Sequence, residues 1–401
     1  MSDSVRLKWL LSESDVRAGV EAEALPLLSV SISWGVRRRE ASSTTTRAAA
    51  EDLSNYKICR AGDLVINRMR AFQGALGIAP EDGIVSPDYA VLEVTPTIDS
   101  RWLTYFLTSG STVATMASLV RGIGGTEAGN VRTPRLNVAD LLSMAAPLVS
   151  AEEQHLIADY LDRETARIDT LIEEQQRLIE LLRERRESAT RAALLRGLDD
   201  GAPLRASGSE FLGLIPSTWT IVPTRHLCTI TTGDEDSGNA SDDGAYPFFV
   251  RGREILRSDT YAFDAEAVMT PGDGQGGTGK VFHYFDGKFQ AHQRVYVFID
   301  FHGITGRYFY YYLSTFLRPI ALAGSNTVTM ESLRRPLLAG FPVAVPPADE
   351  QTLIVEHLDE QTAKINQLIA ETERFIELAQ ERRAALITAA VTGQIDAREV
   401  A

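Results

Sequence analysis

The chain has 401 residues, 44% of them apolar, and a net charge of −14 at pH 7. That length accommodates two to three domains, each with its own core, and the apolar content is ordinary for a globular protein. The apolar runs fall well short of the roughly 18 residues a membrane span needs, and the negative charge argues against a simple nucleic-acid binder. The start, MSDSVRLKWLLSESD, lacks the basic-then-apolar layout of a secretory signal, so a cytoplasmic protein is expected. Cys59 and Cys228 are too few for a disulfide scaffold or a zinc site and are expected to be buried thiols in a reducing cytosol.

The first block, residues 1–149, has the pattern of a mixed α/β domain. GDLVINRMR (62–70), GALGIA (74–79) and DYAVLEV (88–94) predict strands joined by turns. RWLTYFLTS (101–109) predicts an aromatic helix, RGIGGTEAGN (121–130) a Gly-rich loop, and LNVADLLSMAAPLV (136–149) a short apolar element. A long helix comes next, within 150–198. Ile168, Leu171, Ile172, Leu178, Ile179 and Leu182 recur at three- and four-residue steps, the mark of one apolar helix face. From Ala151 to Leu195 no Gly or Pro intervenes, enough for a helix of ~65 Å at 1.5 Å per residue. Asp162 precedes an acidic residue in the manner of a cap, which predicts a break that would split off a short leading helix.

A linker rich in Gly, Ala, Ser and Asp (197–209) leads into IPSTWTIVP (215–223) and the second block, within 199–346. Here EAVMT (266–270), KVFHYF (280–285) and RVYVFID (294–300) predict strands, RYFYYYLSTFL (307–317) an aromatic helix, AGSNTVT (323–329) a loop, and MESLRRPLLAGFPVAVP (330–346) a short apolar element. The order of elements repeats although most residues do not. A second long helix occupies 347–401, with Ile365, Leu368, Ile369, Phe375, Ile376 and Ala379 on its stripe and Asp359 at the matching break point.

The two long helices are copies of each other. Residues 153–193 and 350–390, displaced by 197, are identical at 21 of 41 positions, among them Glu153/Glu350, Gln154/Gln351, Leu161/Leu358, Asp162/Asp359 and Arg185-Arg186/Arg382-Arg383. A period that long is no solenoid; it implies two half-molecules in one chain. An apolar stripe on a thin helix needs a partner, and the cheapest is its own copy. The expected core is Ile168, Leu171, Ile172, Ile179 and Leu182 against Ile365, Leu368, Ile369 and Ile376. The alternative is that each helix packs only on its own block. The fold class is therefore α+β: two mixed α/β domains separated by two long helices that form an antiparallel intramolecular coiled coil with pseudo-twofold symmetry. Charge is divided in the same way. Residues 147–202 carry −5 and 346–401 carry −6, while the blocks are near neutral, at −1 and −2. The acidic helices suit protein partners better than phosphate.

Two motifs come near known catalytic patterns. Ser86-Pro87-Asp88-Tyr89 approaches the base-holding loop of amino-methyltransferases but has Asp88 where the second Pro belongs, with no Gly-rich S-adenosylmethionine motif beside it; it reads better as the start of a strand. GQGGTGK (274–280) matches the first part of a phosphate-binding P-loop, with Val281 in place of the Mg²⁺-binding Ser or Thr. The strand-like VFHYF after it predicts a strand-connecting turn, since a P-loop must open a helix. The six histidines lack metal-ligand spacing. Arg outnumbers Lys 35 to 5, which favours bidentate phosphate and guanine contacts or reflects codon usage. Candidate DNA contacts are Arg68, Arg70, Arg121, Asn130, Arg132 and Arg135 in the first block, and Arg251, Arg253, Gln275, Lys280, Arg294 and Asn326 in the second. Arg can grip guanine O6 and N7, and Asn or Gln adenine N6 and N7, although phosphate contacts position without reading sequence.

The layout resembles the specificity subunit of type I restriction-modification systems. The carrying residues are Glu153, Gln154, Ile157, Leu161 and Asp162 with their copies Glu350, Gln351, Ile354, Leu358 and Asp359. To these belong the Thr-Ala-x-Ile steps (165–168, 362–365), Ile-Glu-Leu to Glu-Arg-Arg (179–186, 376–383), VPPADEQ (345–351), TGQID (392–396) and IPSTW (215–219). The first block departs by ending APLVSAEEQ with one proline, and its helix ends LLRGL rather than TGQI. The resemblance implies two target recognition domains (1–149 and 199–346) and two conserved helical regions (150–198 and 347–401). It implies a non-catalytic subunit that reads one half of a bipartite, asymmetric double-stranded DNA site with each domain. The helices would set the spacing and dock two methyltransferase subunits, with endonuclease/translocase subunits joining them. S-adenosylmethionine (AdoMet), ATP and Mg²⁺ would sit on those partners, with no cofactor or metal in this chain. The alternatives are a self-contained DNA adenine methyltransferase working through Ser86 to Tyr89, a recognition subunit of a related methylation-based defence system, and a coiled-coil scaffold with no nucleic-acid role.

Overall fold

The computed structural model describes residues 4–39, 52–120, 134–209, 212–273, 279–323 and 333–395. The chain divides into two compact units, Met1–Gln176 with Arg374–Ala401, and Arg177–Glu373. Each unit thus takes the N-terminal part of one long helix and the C-terminal part of the other.

In the first unit a four-stranded antiparallel sheet has the spatial order Leu11–Ser14, Tyr89–Val94, Leu64–Asn67, Leu76–Ile78. Leu-Val-Ile-Asn is buried along its whole length, as an uninterrupted apolar run between turn signals suggests. Helix α1 (Ser100–Thr108) starts where the Asp99 carboxylate accepts the backbone N–H groups of Arg101 and Trp102, a cap that contributes about 1 kcal/mol. Its Trp102, Leu103, Phe106 and Leu107 form one stripe, buried with Leu7, Leu64 and Leu92; each such side chain stabilises by about 1.5–3 kcal/mol. Helices α2 (Gly110–Leu119) and α3 (Val138–Ser143) come next. Strand Ala145–Pro147 then returns to pair with Ser4–Arg6 and leads into α4 (Ala151–Arg196).

The second unit repeats the plan. Its sheet runs Thr229–Thr232, Val295–Ile299, Phe263–Pro271, His283–Ala291, in the same order and again antiparallel. It is then extended by Tyr246–Phe249 and Ile255–Ser258, the former pairing parallel with His283–Ala291. Helix α5 (Gly306–Ala323) takes the place of α1. Then come α6 (Arg335–Gly340), a strand Pro342–Val345 paired with Thr220–Pro223, and α7 (Ala348–Val391). Tyr308, Phe309, Tyr312 and Phe316 of α5 fill its core.

Both long helices enter these cores, with opposite ends in each. Ile157, Ala158 and Leu161 of α4 join Ile387, Ala390 and Val391 of α7 in the first unit. Ala193 and Leu194 of α4 join Ile354 and Leu358 of α7 in the second. Further along, Ile168 and Ile172 pack on Ala379 and Ile376, and Arg186 reaches Asn366. Residue numbers rise on one helix as they fall on the other, so within each unit the pair is antiparallel.

Two expectations need correction. No break occurs at Asp162 or Asp359: both helices are continuous, because those carboxylates bind side chains of α1 and α5 sideways instead of capping a new helix start. The expected seam is also narrower than drawn. Ile168, Ile172, Ile179, Ile365 and Ile369 are buried, whereas Leu171, Leu182 and Ile376 are half-buried and Leu368 is 48% exposed. A strip between only two helices covers a single row of each. Leu178 and Leu181 of α4, and Leu368, Phe375 and Leu378 of α7, stand outside it, exposed.

Candidate nucleic-acid interface and the joints that hold it

The described cations from the candidate set gather at one end of each sheet. In the first block strand Leu64–Asn67 ends at Arg68, whose carbonyl accepts the Leu136 N–H at 2.9 Å; in the second, Phe263–Pro271 ends at Gly272, whose carbonyl accepts the Leu333 N–H at 2.7 Å. Arg68 is half-buried, its Nε donating to the Leu136 carbonyl at 3.2 Å, and Arg70 beside it is exposed. Arg135 lies 3.3 Å from Asp88. In the second block Arg294 and Arg251 share Asp273, at 2.7 and 3.7 Å, while Arg253 and Lys280 are exposed nearby in sequence. Asp273 Oδ1 is buried and accepts no hydrogen bond. Arg121, Asn130, Arg132, Gln275 and Asn326 lie outside the described residues.

Chemically, such an end offers guanidinium donors for phosphate or guanine and carboxylate acceptors for the amino group of cytosine. His292 supports it from beneath: its Nδ1 accepts the Arg294 N–H at 3.0 Å. Burial, then the charge of Arg251, holds its pKa below the usual range, so the ring is a neutral acceptor at pH 7.

The two motifs resolve as strand connections. The Tyr89 N–H donates to the Ser86 carbonyl at 3.0 Å in a turn that opens strand Tyr89–Val94, with Asp88 turned toward Arg135. Residues 274–278 of the Gly-rich run lie outside the described residues, and Lys280 leads into the strand His283–Ala291, not into a helix. Both cysteines are free and buried; burial raises the thiol pKa to about 11 for Cys59 and about 12 for Cys228, which leaves them unreactive. Among the described residues no group of three or more His, Cys, Asp or Glu is placed to hold a metal, and no helix is long and apolar enough to cross a membrane.

The repeated polar residues of the long helices turn out to grip the blocks. Gln154 is buried; its Oε1 accepts the Asp99 N–H and its Nε2 donates to the Val149 carbonyl, both at 2.9 Å. Its copy Gln351 accepts the Thr305 N–H at 2.9 Å and donates to the Gly303 and Pro346 carbonyls, each at 3.0 Å. Each glutamine therefore closes the start of α1 or α5. Further along the same helices, Asp162 receives Arg101 at 2.9 Å and the Tyr105 hydroxyl at 2.8 Å. Asp359 receives Arg307 at 2.6 Å and the Tyr311 hydroxyl.

The surroundings of the two joints differ. Arg101 also meets Asp99 at 3.0 Å and Asp159 at 2.7 Å, and His155 contacts Asp99. Burial would raise the Asp99 pKa, but hydrogen bonds from Arg101 and His155 outweigh it and hold the carboxyl below its usual range. Arg307 is stacked over Tyr284, Tyr310 and Tyr311, 4.9–5.4 Å from their ring centres. Burial raises the pKa of Tyr105 to about 12 and that of Tyr311 still further. None of Arg101, Tyr105, Arg307 and Tyr311 stands out in the sequence. The signal is an Arg-x-x-x-Tyr at the head of each aromatic helix, displaced by 206 residues and so out of step with the helical repeat of 197.

Residues 216–378 match the family model described as the type I restriction modification DNA specificity domain. The chain is 32% identical over 183 residues to the type I restriction enzyme EcoDI specificity subunit of Escherichia coli; the match covers 46% of this chain and 40% of that protein, less than half its length. In fold it is similar to a chain from a structural study of complex assembly and conformational transition of the type I R-M system, with a TM-score of 0.68 at 15% identity over 97% of both chains. The HsdS subunit of Thermoanaerobacter tengcongensis is also similar, with a TM-score of 0.54 at 14% identity, covering 98% of this chain and 97% of that one.

Proposed function

We propose, from the similarity of residues 216–378 to the type I restriction modification DNA specificity domain, that the chain is the DNA-recognition subunit of a restriction-modification complex and is itself non-catalytic. Residues 1–149 and 199–346 act as target recognition domains, and each reads one half of a bipartite, asymmetric double-stranded site. Residues 150–198 and 347–401 set the spacing between the halves. They also dock two methyltransferase subunits, which endonuclease/translocase subunits join. AdoMet, ATP and Mg²⁺ belong to those partners, and the complex works in the cytoplasm, where its DNA is.

One observation carries this reading. The same four-strand order ends, in both blocks, at arginines with an aspartate partner: Arg135 with Asp88, next to Arg68 held on the Leu136 carbonyl, and Arg251 and Arg294 with Asp273. Two like ends in one chain suit two half-sites better than one continuous target. The exposed leucines and Phe375 on the acidic long helices supply apolar area for protein partners.

The test is reconstitution. The isolated chain is expected to bind no AdoMet and transfer no methyl groups. Together with its methyltransferase subunits it should bind a bipartite duplex about 10³-fold or more tightly than unrelated DNA. Inserting one helical turn into each long helix should change the preferred spacer. Methyl transfer by the chain alone, or an unchanged site after the insertion, contradicts the proposal.

A further inference from the structure

Resting on that two-half-site reading, we infer that Arg101, Tyr105 and Asp162 in the first unit, and Arg307, Tyr311 and Asp359 in the second, are positioning residues. They fix the angle of each block on its long helix and, through that angle, the gap accepted between the half-sites.

Burial of apolar area holds block and helix together, but it is non-directional and tolerates sliding. Hydrogen bonds and ion pairs weaken steeply with angle. The joint places them where a tilt would be felt, in the first two turns of α1 and α5. These groups stabilise little in energy, being partly exposed: the Arg307 and Asp359 side chains are 35% and 42% accessible. That the same three side chains nevertheless recur in both units, on different surroundings, points to geometry as their role.

The lever is short and stiff. Helix α5 comes after strand Val295–Ile299, which starts next to Arg294 at the basic end; α1 comes after Tyr89–Val94, which starts next to Asp88. A strand of about six residues at ~3.3 Å each spans ~20 Å. Tilting it by about 10° moves its far end ~3.5 Å, one base-pair step. Small play at the joint is therefore enough to admit a spacer one base pair longer or shorter.

The experiment uses the complex reconstituted with its methyltransferase subunits and duplexes carrying the natural spacer or one base pair more or fewer. The unaltered protein should prefer its own spacer by about tenfold or more. Tyr311→Phe, which removes one oxygen, and Asp359→Asn should narrow that preference to about threefold or less, with base preferences inside both half-sites unchanged. A preference as sharp as before overturns the inference, as does a loss of base preference at one half-site alongside the spacer effect, which marks a merely damaged block. If the unaltered protein has no spacer preference, the two-half-site reading itself has failed, and the variants are not needed to see it.

Discussion

The first unit joins its block to the long helix through charge, and the second through rings. Arg101 is surrounded by Asp99, Asp159 and Asp162. Arg307 has Asp359 and three tyrosines. On the helix side Gln154, Asp162 and Thr165 recur as Gln351, Asp359 and Thr362, while Thr352 and Glu356 stand where His155 and Asp159 do. On the block side only the Arg and the Tyr recur. Thr305 takes the place of Asp99. One helical surface therefore accepts two different blocks, provided each presents an Arg, a Tyr and the start of a helix. The contact between the long helices shows the same split. Arg383 grips Asp169 with two bonds, at 2.8 and 3.1 Å, whereas Arg186 meets Asn366, the copy of Asp169.

The largest test of this contrast is at the glutamines. Gln351→Leu removes three hydrogen bonds to backbone groups, one of them to buried Pro346, and should cost about 3 kcal/mol; Gln154→Leu removes two and should cost about 2 kcal/mol. Amide exchange at Thr305 and Asp99, compared between the variants, would show it, and equal costs would break the distinction. Next, Asp359→Asn should destabilise the second unit by about 1 kcal/mol, while Asp162→Asn should cost about half that because Arg101 keeps two carboxylates. Chemical denaturation of each variant reads the difference, and a larger loss for Asp162→Asn would reverse the account. Smaller again is the response to acid. The folded-state pKa of Asp99 is depressed, so its contribution is present above its ordinary value near 3.8 and is lost as pH falls through the folded value. Exchange protection at the start of α1 should drop below that pH by more than at the start of α5, where Thr305 does not titrate. Smallest is salt: raising NaCl from about 0.1 to 1 M should narrow the cost of Arg383→Ala more than that of Arg186→Ala, because only the former removes an ion pair.

The long helices, their pairing and the order of elements in both blocks were legible in the sequence, because a repeat displaced by 197 residues and a three-to-four-residue apolar spacing survive without any tertiary context. The repeated polar residues were visible but not their purpose. Asp162 looks like a cap until Arg101 and Tyr105 are brought to it across about 60 residues of chain, and loops of unequal length hide that second repeat. Leu368 has the spacing of a core residue, but spacing marks a face and not the width of the surface that covers it. The basic ends of the sheets were half-legible: Arg251 and Arg294 are 43 residues apart and converge only through Asp273.

Methylated-base sequencing of the host genome, with and without this chain, tests the central claim most directly. The account predicts that removing the chain erases methylation at one motif made of two short, unlike half-sites separated by a fixed gap. Methylation that persists unchanged, or a lost motif that is continuous, would contradict it.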